Sequence, residues 1–461
     1  MSTFSGLSTA LSSLTAQRQA LEVSGQNIAN ANTVGYTRQR AELQSVGSGQ
    51  SATMFSSGSG IGNGVQTASI SRLGDLFLDA RVRTTTSSAA FLSARTDAYK
   101  RLESTIAEPG TNGIAQQLSD FWATWQDVSN SPDSAATGQV LIEAGKSAQR
   151  SIATGYAAVT TQWEQTRGKA EALVADINTA ARSVAELNEK IRSITVSGGN
   201  ANELIDQRTV LTTSLSALAG ATVRESSDGT ADVNIGGNPL VSGTTSQKIR
   251  LTGATGMVES QTDPLRVQWD RTPASDAALS GGELAGVLTV LAPTNAQGTG
   301  GLLAEAAASY NTLATRLADS VNALHTGQEF FSVGGDPAAL RMAVAVTDPA
   351  QLVTGIGGTD NSIADAISQI GIAKDGPDKL WSSFVVGVGV QAKATAQSAT
   401  VAETARATAE GLQLSQTSVD LDEESVNMLA FQRAYQGAAR VMTAIDEMLD
   451  QLINRTGVVG R

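Results

Sequence analysis

Cysteine is absent from the 461 residues, and histidine occurs once, as His325. Those gaps exclude disulfides, cysteine nucleophiles, thiolate zinc sites and any centre that needs two imidazoles. Aromatic side chains make up 4% of the chain and charged ones 16%, so long elements built from aliphatic and small residues are expected rather than a compact, ring-centred core. Positive charge is also short, with 32 Lys and Arg against 44 Asp and Glu and a formal net charge of −12. A surface of that sign repels phosphate backbones and anionic lipid, so neither nucleic acid nor a membrane is expected as a partner. The longest apolar run, 384–390, falls far short of the ~20 residues of a spanning helix. No basic residue precedes Arg18, and Ser, Thr and Gln interrupt the early apolar stretches, so no cleaved signal peptide is expected.

What is present is strongest at the two extremities. Alternating steps of three and four from Phe4 meet Leu7, Leu11, Leu14, Arg18, Leu21, Gly25 and Ile28, the heptad seam of a helix. The same steps near the other end meet Met428, Phe431, Tyr435, Ala438, Met442, Ile445, Leu449 and Leu452, all able to face a partner. This second helix is expected to start at Asp420, with Glu423 three residues on and Asp422 and Glu424 in its first turn, and to stop around Arg455 and Gly457. An isolated helix of this length is marginal in water, and each buried Leu, Ile or Phe returns only ~1.5–3 kcal/mol, provided something covers it. The seams therefore demand a partner, either each other or neighbouring copies. One expectation is that free monomers hold their termini loosely and that docking orders them.

The interior is layered. Leu173, Ile177, Ala180, Val184, Leu187, Ile191 and Ile194 form a third helical series, closed by Ser197-Gly198-Gly199-Asn200. A helix through Leu204, Leu211, Leu215 and Leu218 completes an αα-hairpin. Further helices are expected over 73–105, 114–128, 302–325 and 391–416. Short strand-like runs at 221–225, 231–235, 248–251 and 265–269 mark a small β-domain, to which 341–347 is expected to return. The Gly/Ser-rich stretch 47–64 is expected to be a loop or hinge.

The stretch Asn27-Ile28-Ala29-Asn30-Ala31-Asn32-Thr33-Val34-Gly35-Tyr36-Thr37-Arg38-Gln39 resembles the N-terminal signature of bacterial flagellar axial proteins. Its chemistry agrees, since Asn and Gly accept left-handed geometry and terminate and redirect a helix. Three more segments are similar to the FlgK family of hook-associated proteins: Glu203-Leu204-Ile205-Asp206-Gln207-Arg208 leading to Gly220 and Gly237-Asn238-Pro239-Leu240-Val241; Gly281-Gly282-Glu283-Leu284, followed by 317–325; and 419–425 running on through Phe431-Gln432-Arg433-Ala434-Tyr435-Gln436. Val34 stands where the family usually has Pro, and Gln328-Glu329-Phe330-Phe331 replaces a longer Gly-rich segment.

The resemblance implies a mainly α fold with an inserted β-rich domain, in a layered axial architecture with paired terminal coiled-coil helices. Residues 1–60 and 418–461 would form the inner layer, 61–220 and 280–417 a helical middle, and 221–279 with 330–360 a small outer β-domain. It also implies a flagellar structural subunit secreted by type III export to the hook–filament junction. Its partners would be copies of itself in a ring, the hook protein, the second hook-associated junction protein and an export chaperone at the C-terminal helix. Another axial protein, a hook or rod subunit, is the alternative, as is an axial protein carrying an enzymatic insertion.

Candidate chemistry is thin. Gly387-Val388-Gly389-Val390-Gln391-Ala392 fits a dinucleotide fingerprint after a strand-like 383–386, but no further strand follows to complete a βαβ unit, so a helix-opening turn is expected. His325 is expected to be a packed ring or a helix C-terminal residue. The acids at 420–424 lack the spacing of a calcium loop. In 221–272 the carboxylates Glu225, Asp228, Asp232, Glu259, Asp263 and Asp270 are scattered. No catalytic, metal or cofactor residues are assigned. Tyr36, Arg38 and Arg40 are either a recognition patch or a loop packed on its own domain.

Overall fold

The computed structural model describes residues 3–47, 62–296, 298–357 and 360–454. Helix α1 (Thr3–Asn30) is followed by an antiparallel hairpin of β1 (Gln39–Ser45) and β2 (Val65–Arg72). The expected loop at 47–64 lies largely outside the described residues; its ends close through Val46 and Gly64, 2.9 Å from N–H to carbonyl. Helix α2 (Leu76–Ile106) starts at Asp75, whose carboxylate accepts from the N–H groups of Phe77 and Leu78. Then come α3 (Ile114–Asn130), α4 (Ala135–Val196) and α5 (Asn202–Ala219), the last ended by Gly220 at φ +66°.

At 62 residues α4 is the spine. No proline interrupts it, and its buried face recurs through Leu141, Ala148, Ile152, Val159, Trp163, Ala170, Ile177, Val184 and Ile191, close to the 3.6-residue period. The expected αα-hairpin is its last third plus α5. The β-insert follows: β3 (Thr222–Glu225), β4 (Ala231–Ile235), β5 (Asn238–Ser242) and β6 (Thr245–Ser246) form one antiparallel sheet, and β7 (Ile249–Thr252) pairs with β8 (Arg266–Trp269). Alternation along β4 places Ala231, Val233 and Ile235 inward. The remaining elements are α6 (Gly282–Leu291), α7 (Leu302–Asn322), β9 (Phe331–Val333), α8 (Ala338–Arg341), β10 (Met342–Val344), α9 (Ser362–Ser368), α10 (Pro377–Thr417) and α11 (Leu421–Asn454).

Three expectations are corrected. The run 341–347 does not rejoin the β-insert. It supplies β10, which pairs with β9, because Phe330 and Phe331 are fully buried beside Phe121, with ring centroids 5.6 Å away in each case. Asn322 pins this turn, accepting from the N–H groups of both phenylalanines and donating to the Phe331 carbonyl at 2.7 Å. Other large rings are buried among the helices as well, Trp125, Trp163 and Trp381. Residues 383–386 are not a strand, because α10 already opens at Gly376-Pro377. The glycine fingerprint therefore lies inside a helix, with its N–H groups committed to the helix ladder and unavailable to a phosphate.

Candidate assembly interface

The first and last helices pack on each other within one chain. They run antiparallel: Gly6 sits against Ile445, where a Cβ would stand 3.1 Å from the Ile445 Cδ1, while Ala20, Val23 and Ser24 line a cleft of about 410 Å³ with Glu424, Asn427 and Phe431. Part of the seam is therefore covered within one chain, by the first of the two partners that the sequence left open.

On α11 the paired face is close to the expected one. Ile445 is buried, and Phe431, Ala438, Met442 and Leu449 are half-buried. Met428, Tyr435 and Leu452 lie at the edge and are exposed. On α1 the buried face is Ala10, Ala16, Ala20, Val23, Ser24 and Asn27, one residue, ~100°, round from the expected seam. Small side chains let the backbones and the hairpin approach closely, and the larger residues are turned to the flank. Leu7, Leu14, Leu21 and Ile28 are half-buried there, and Leu11 is 57% exposed. The Phe4 side chain lies outside the described residues.

Helical-wheel positions at 100° per residue place Val441 and Met448 on one side of the paired face of α11, and Leu421 and Ile453 on the other. All four are half or more exposed. The apolar sector of α11 thus spans about 180°, wider than one partner helix covers.

The signature ties this pair to the body. Asn27, buried at the end of α1, behaves like a strand neighbour: its Nδ2 donates to the Gln39 carbonyl at 2.8 Å, and its Oδ1 accepts from the Gln39 N–H at 3.0 Å and the Tyr36 hydroxyl at 2.9 Å. Asn30 donates to the Gln26 carbonyl and accepts from the Thr33 hydroxyl, closing the helix end, while Asn32 is exposed in the turn. Gly35 adopts φ +80° with its α-carbon against Val210, so a side chain there would be both strained and obstructed. Burial first, then the charges of Asp206, Glu203 and Glu424, push the Tyr36 phenol up to about 12, so it remains a donor.

Arg38 reaches both acids at the start of α11, Glu423 at 2.9 Å and Glu424 at 2.7 Å. Asp420 caps that helix by accepting from the N–H groups of Asp422 and Glu423. The start is where the sequence places it, although Glu423 turns to Arg38. Of the weighed patch, Tyr36 and Arg38 are local packing, whereas Arg40 is exposed and pairs with Glu42. Sequence reasoning missed the partners of the signature on α5, Asn202 and Asp206 as contacts, since more than 130 residues separate Asp206 from Arg72 and Thr37.

His325 is 1% exposed, beyond the end of α7. Its Nδ1 faces the Gln328 carbonyl at 2.6 Å and its Nε2 accepts from the Val353 N–H at 2.9 Å. That pattern needs the neutral ring protonated on Nδ1, and burial lowers its pKa. Among the described residues no cluster of three or more His, Cys, Asp or Glu could hold a metal, and no helix is long and apolar enough to cross a membrane.

Long terminal helices joined in a pair, a helical middle and a small β-insert are the architecture of a mainly α axial protein. Residues 99–332 match the family described as the flagellar hook-associated protein FlgK helical domain. The chain belongs to that family. Its ends match wider flagellar families, 7–37 the flagella basal body rod protein and 413–455 the C-terminal region of the basal body rod FlgEFG proteins. Flagellar hook-associated protein 1 of Bacillus subtilis (strain 168) is 27% identical across the whole of both chains. The Escherichia coli (strain K12) protein of the same name is 27% identical over 73% of this chain and 61% of its own. A solved structure of the flagellar hook junction protein FlgK from Burkholderia pseudomallei has a TM-score of 0.49 and 23% identity, covering 55% of this chain and 47% of that one.

Proposed function

We propose that this chain is a structural subunit of the bacterial flagellum at the junction between hook and filament. Copies assemble in a ring through the bare flanks of the terminal helix pair, touching the hook protein on one side and the second hook-associated junction protein on the other. The observation that carries this reading is the apolar sector of α11, covered by α1 along its centre and exposed on both sides, at Val441 and Met448 and at Leu421 and Ile453. Large apolar side chains left bare beside a covered seam mark a contact site, and a helix bare on both flanks suits a neighbour on each. The names of the relatives support the place of the ring, and the match over 99–332 favours a hook-associated protein over a hook or rod subunit.

Before assembly the same flanks need cover, which suits an export chaperone bound to the C-terminal helix during type III secretion. The terminal pair forms the inner layer, the helical body the middle and residues 221–279 an outer β-layer, with 330–360 assigned to the middle. Met448→Asp tests the reading. Because Met448 is half exposed, the folded monomer should keep its stability within about 0.5 kcal/mol, while junction assembly and swimming are lost. A variant that swims normally would refute the role given to this flank.

A further inference from the structure

The stretch 203–208 lies on α5, where Asp206 and Arg208 are two residues, ~200°, apart and so face opposite sides. Both are buried, and each goes to a different layer. Asp206 Oδ1 accepts from the Arg72 guanidinium at 2.6 and 2.9 Å, its Oδ2 accepts from the Thr37 N–H at 3.1 Å, and Arg72 also donates to the Thr37 hydroxyl. One turn earlier, Asn202 Nδ2 donates to the Ile70 carbonyl at 2.9 Å and the Gln39 Oε1 at 3.0 Å. One turn later, Val210 abuts Gly35. Positions 202, 206 and 210 thus form one face of α5, on which the signature turn and the hairpin are seated. On the other side Arg208 donates to the Asn188 Oδ1 at 2.9 Å and the Gly229 carbonyl at 2.6 Å, and Asn188 in turn holds the Ala231 N–H and carbonyl.

We infer that α5 is the joint of the molecule and that Asp206 is the positioning residue that fixes the terminal helix pair against the body, while Arg208 separately fixes the β-insert. A carboxylate suits this task. It meets a backbone N–H and a guanidinium at once, and removing its charge leaves Arg72 without its ionic partner in a largely buried site. Besides this face, the pair is tied at one point, where Arg38 holds Glu423 and Glu424 and its N–H donates to the Thr417 carbonyl at the end of α10; beyond that α11 packs on α1, and α1 packs on α11 and the hairpin. The inference deepens the junction reading, because a ring built through the pair needs every pair held at one angle.

The test uses the full chain as a monomer. It has no native cysteine, so Glu189→Cys on α4 and Gln436→Cys on α11, both exposed, are unique spin-label positions. Pulsed electron resonance should give one narrow distance distribution. Asp206→Asn should at least double its width with helix content unchanged, and adding Arg72→Gln, which removes the stranded charge, should recover more than half of the narrowing. Arg208→Ala should leave the distribution narrow while proteolysis within 222–269 becomes about tenfold faster. Should Asp206→Asn fail to fold, Asn202→Ala must broaden the distribution instead. A wild-type distribution that is already broad, or variants as narrow as wild type, would overturn the assignment. Met448→Asp separates the two readings: it should stay narrow although it does not assemble, and its failure to block assembly would sink the junction reading while leaving the joint intact.

Discussion

Ile445→Ala isolates the cohesion of the terminal pair. Ile445 is 7% exposed and is the one apolar residue of α11 buried to this degree among those described; Phe431, Met442 and Leu449 are only half-buried. Truncating a buried Ile to Ala costs ~2–5 kcal/mol, and a seam of two helices can collapse around the gap better than a closed core, so the lower end applies. At ~2 kcal/mol the open form of the pair gains roughly 30-fold in population. Because α11 packs on α1 and on little else, the loss should stay local. Hydrogen exchange followed by mass spectrometry should therefore show protection falling roughly 30-fold across 421–454, with α4 and α7 unchanged. Met448→Ala, on the exposed flank, should change it by less than twofold. Equal protection in wild type and Ile445→Ala would refute intramolecular pairing as the source of order in the termini.

Two further outcomes follow from single contacts. Gly35→Ala should destabilise the signature turn by about 1–3 kcal/mol, since a φ of +80° strains any side chain. Val210→Ala should relieve the steric part, so the double variant is more stable in urea than the sum of the singles; strict additivity would count against the close approach. For His325, burial depresses the folded-state pKa below the ordinary imidazole value, so the unfolded chain takes up a proton first as pH falls. Its contribution is fully present above ~6.5 and is lost on acidification at up to ~1.4 kcal/mol per pH unit. Urea midpoints between pH 7 and 5 should fall more steeply in wild type than in His325→Gln, and parallel slopes would remove His325 as the cause.

The sequence by itself determined the elements whose signal is local. The terminal helices, the Asp420 cap, the αα-hairpin and most strands of the β-insert follow from periods of 3.6 and 2 and from turn residues within a few positions. The signature turn was legible for the same reason, since Asn27 and Asn30 bond to groups close by in the chain and Gly35 supplies a positive φ. Tertiary structure decided what depends on distant partners. It turned α1 by one residue so that Ala10, Ala16 and Ala20 lie on the face buried against α11 and the hairpin, because close approach depends on all the packed surfaces at once. It drew Phe330 and Phe331 into the aromatic layer and took 341–347 with them, and it made a helix of a valine-rich run that looked like a strand. It also gave Asp206 its role, since a carboxylate has no direction in a sequence: its meaning lies in Arg72 and Thr37, brought to it only when hairpin and helix are folded together.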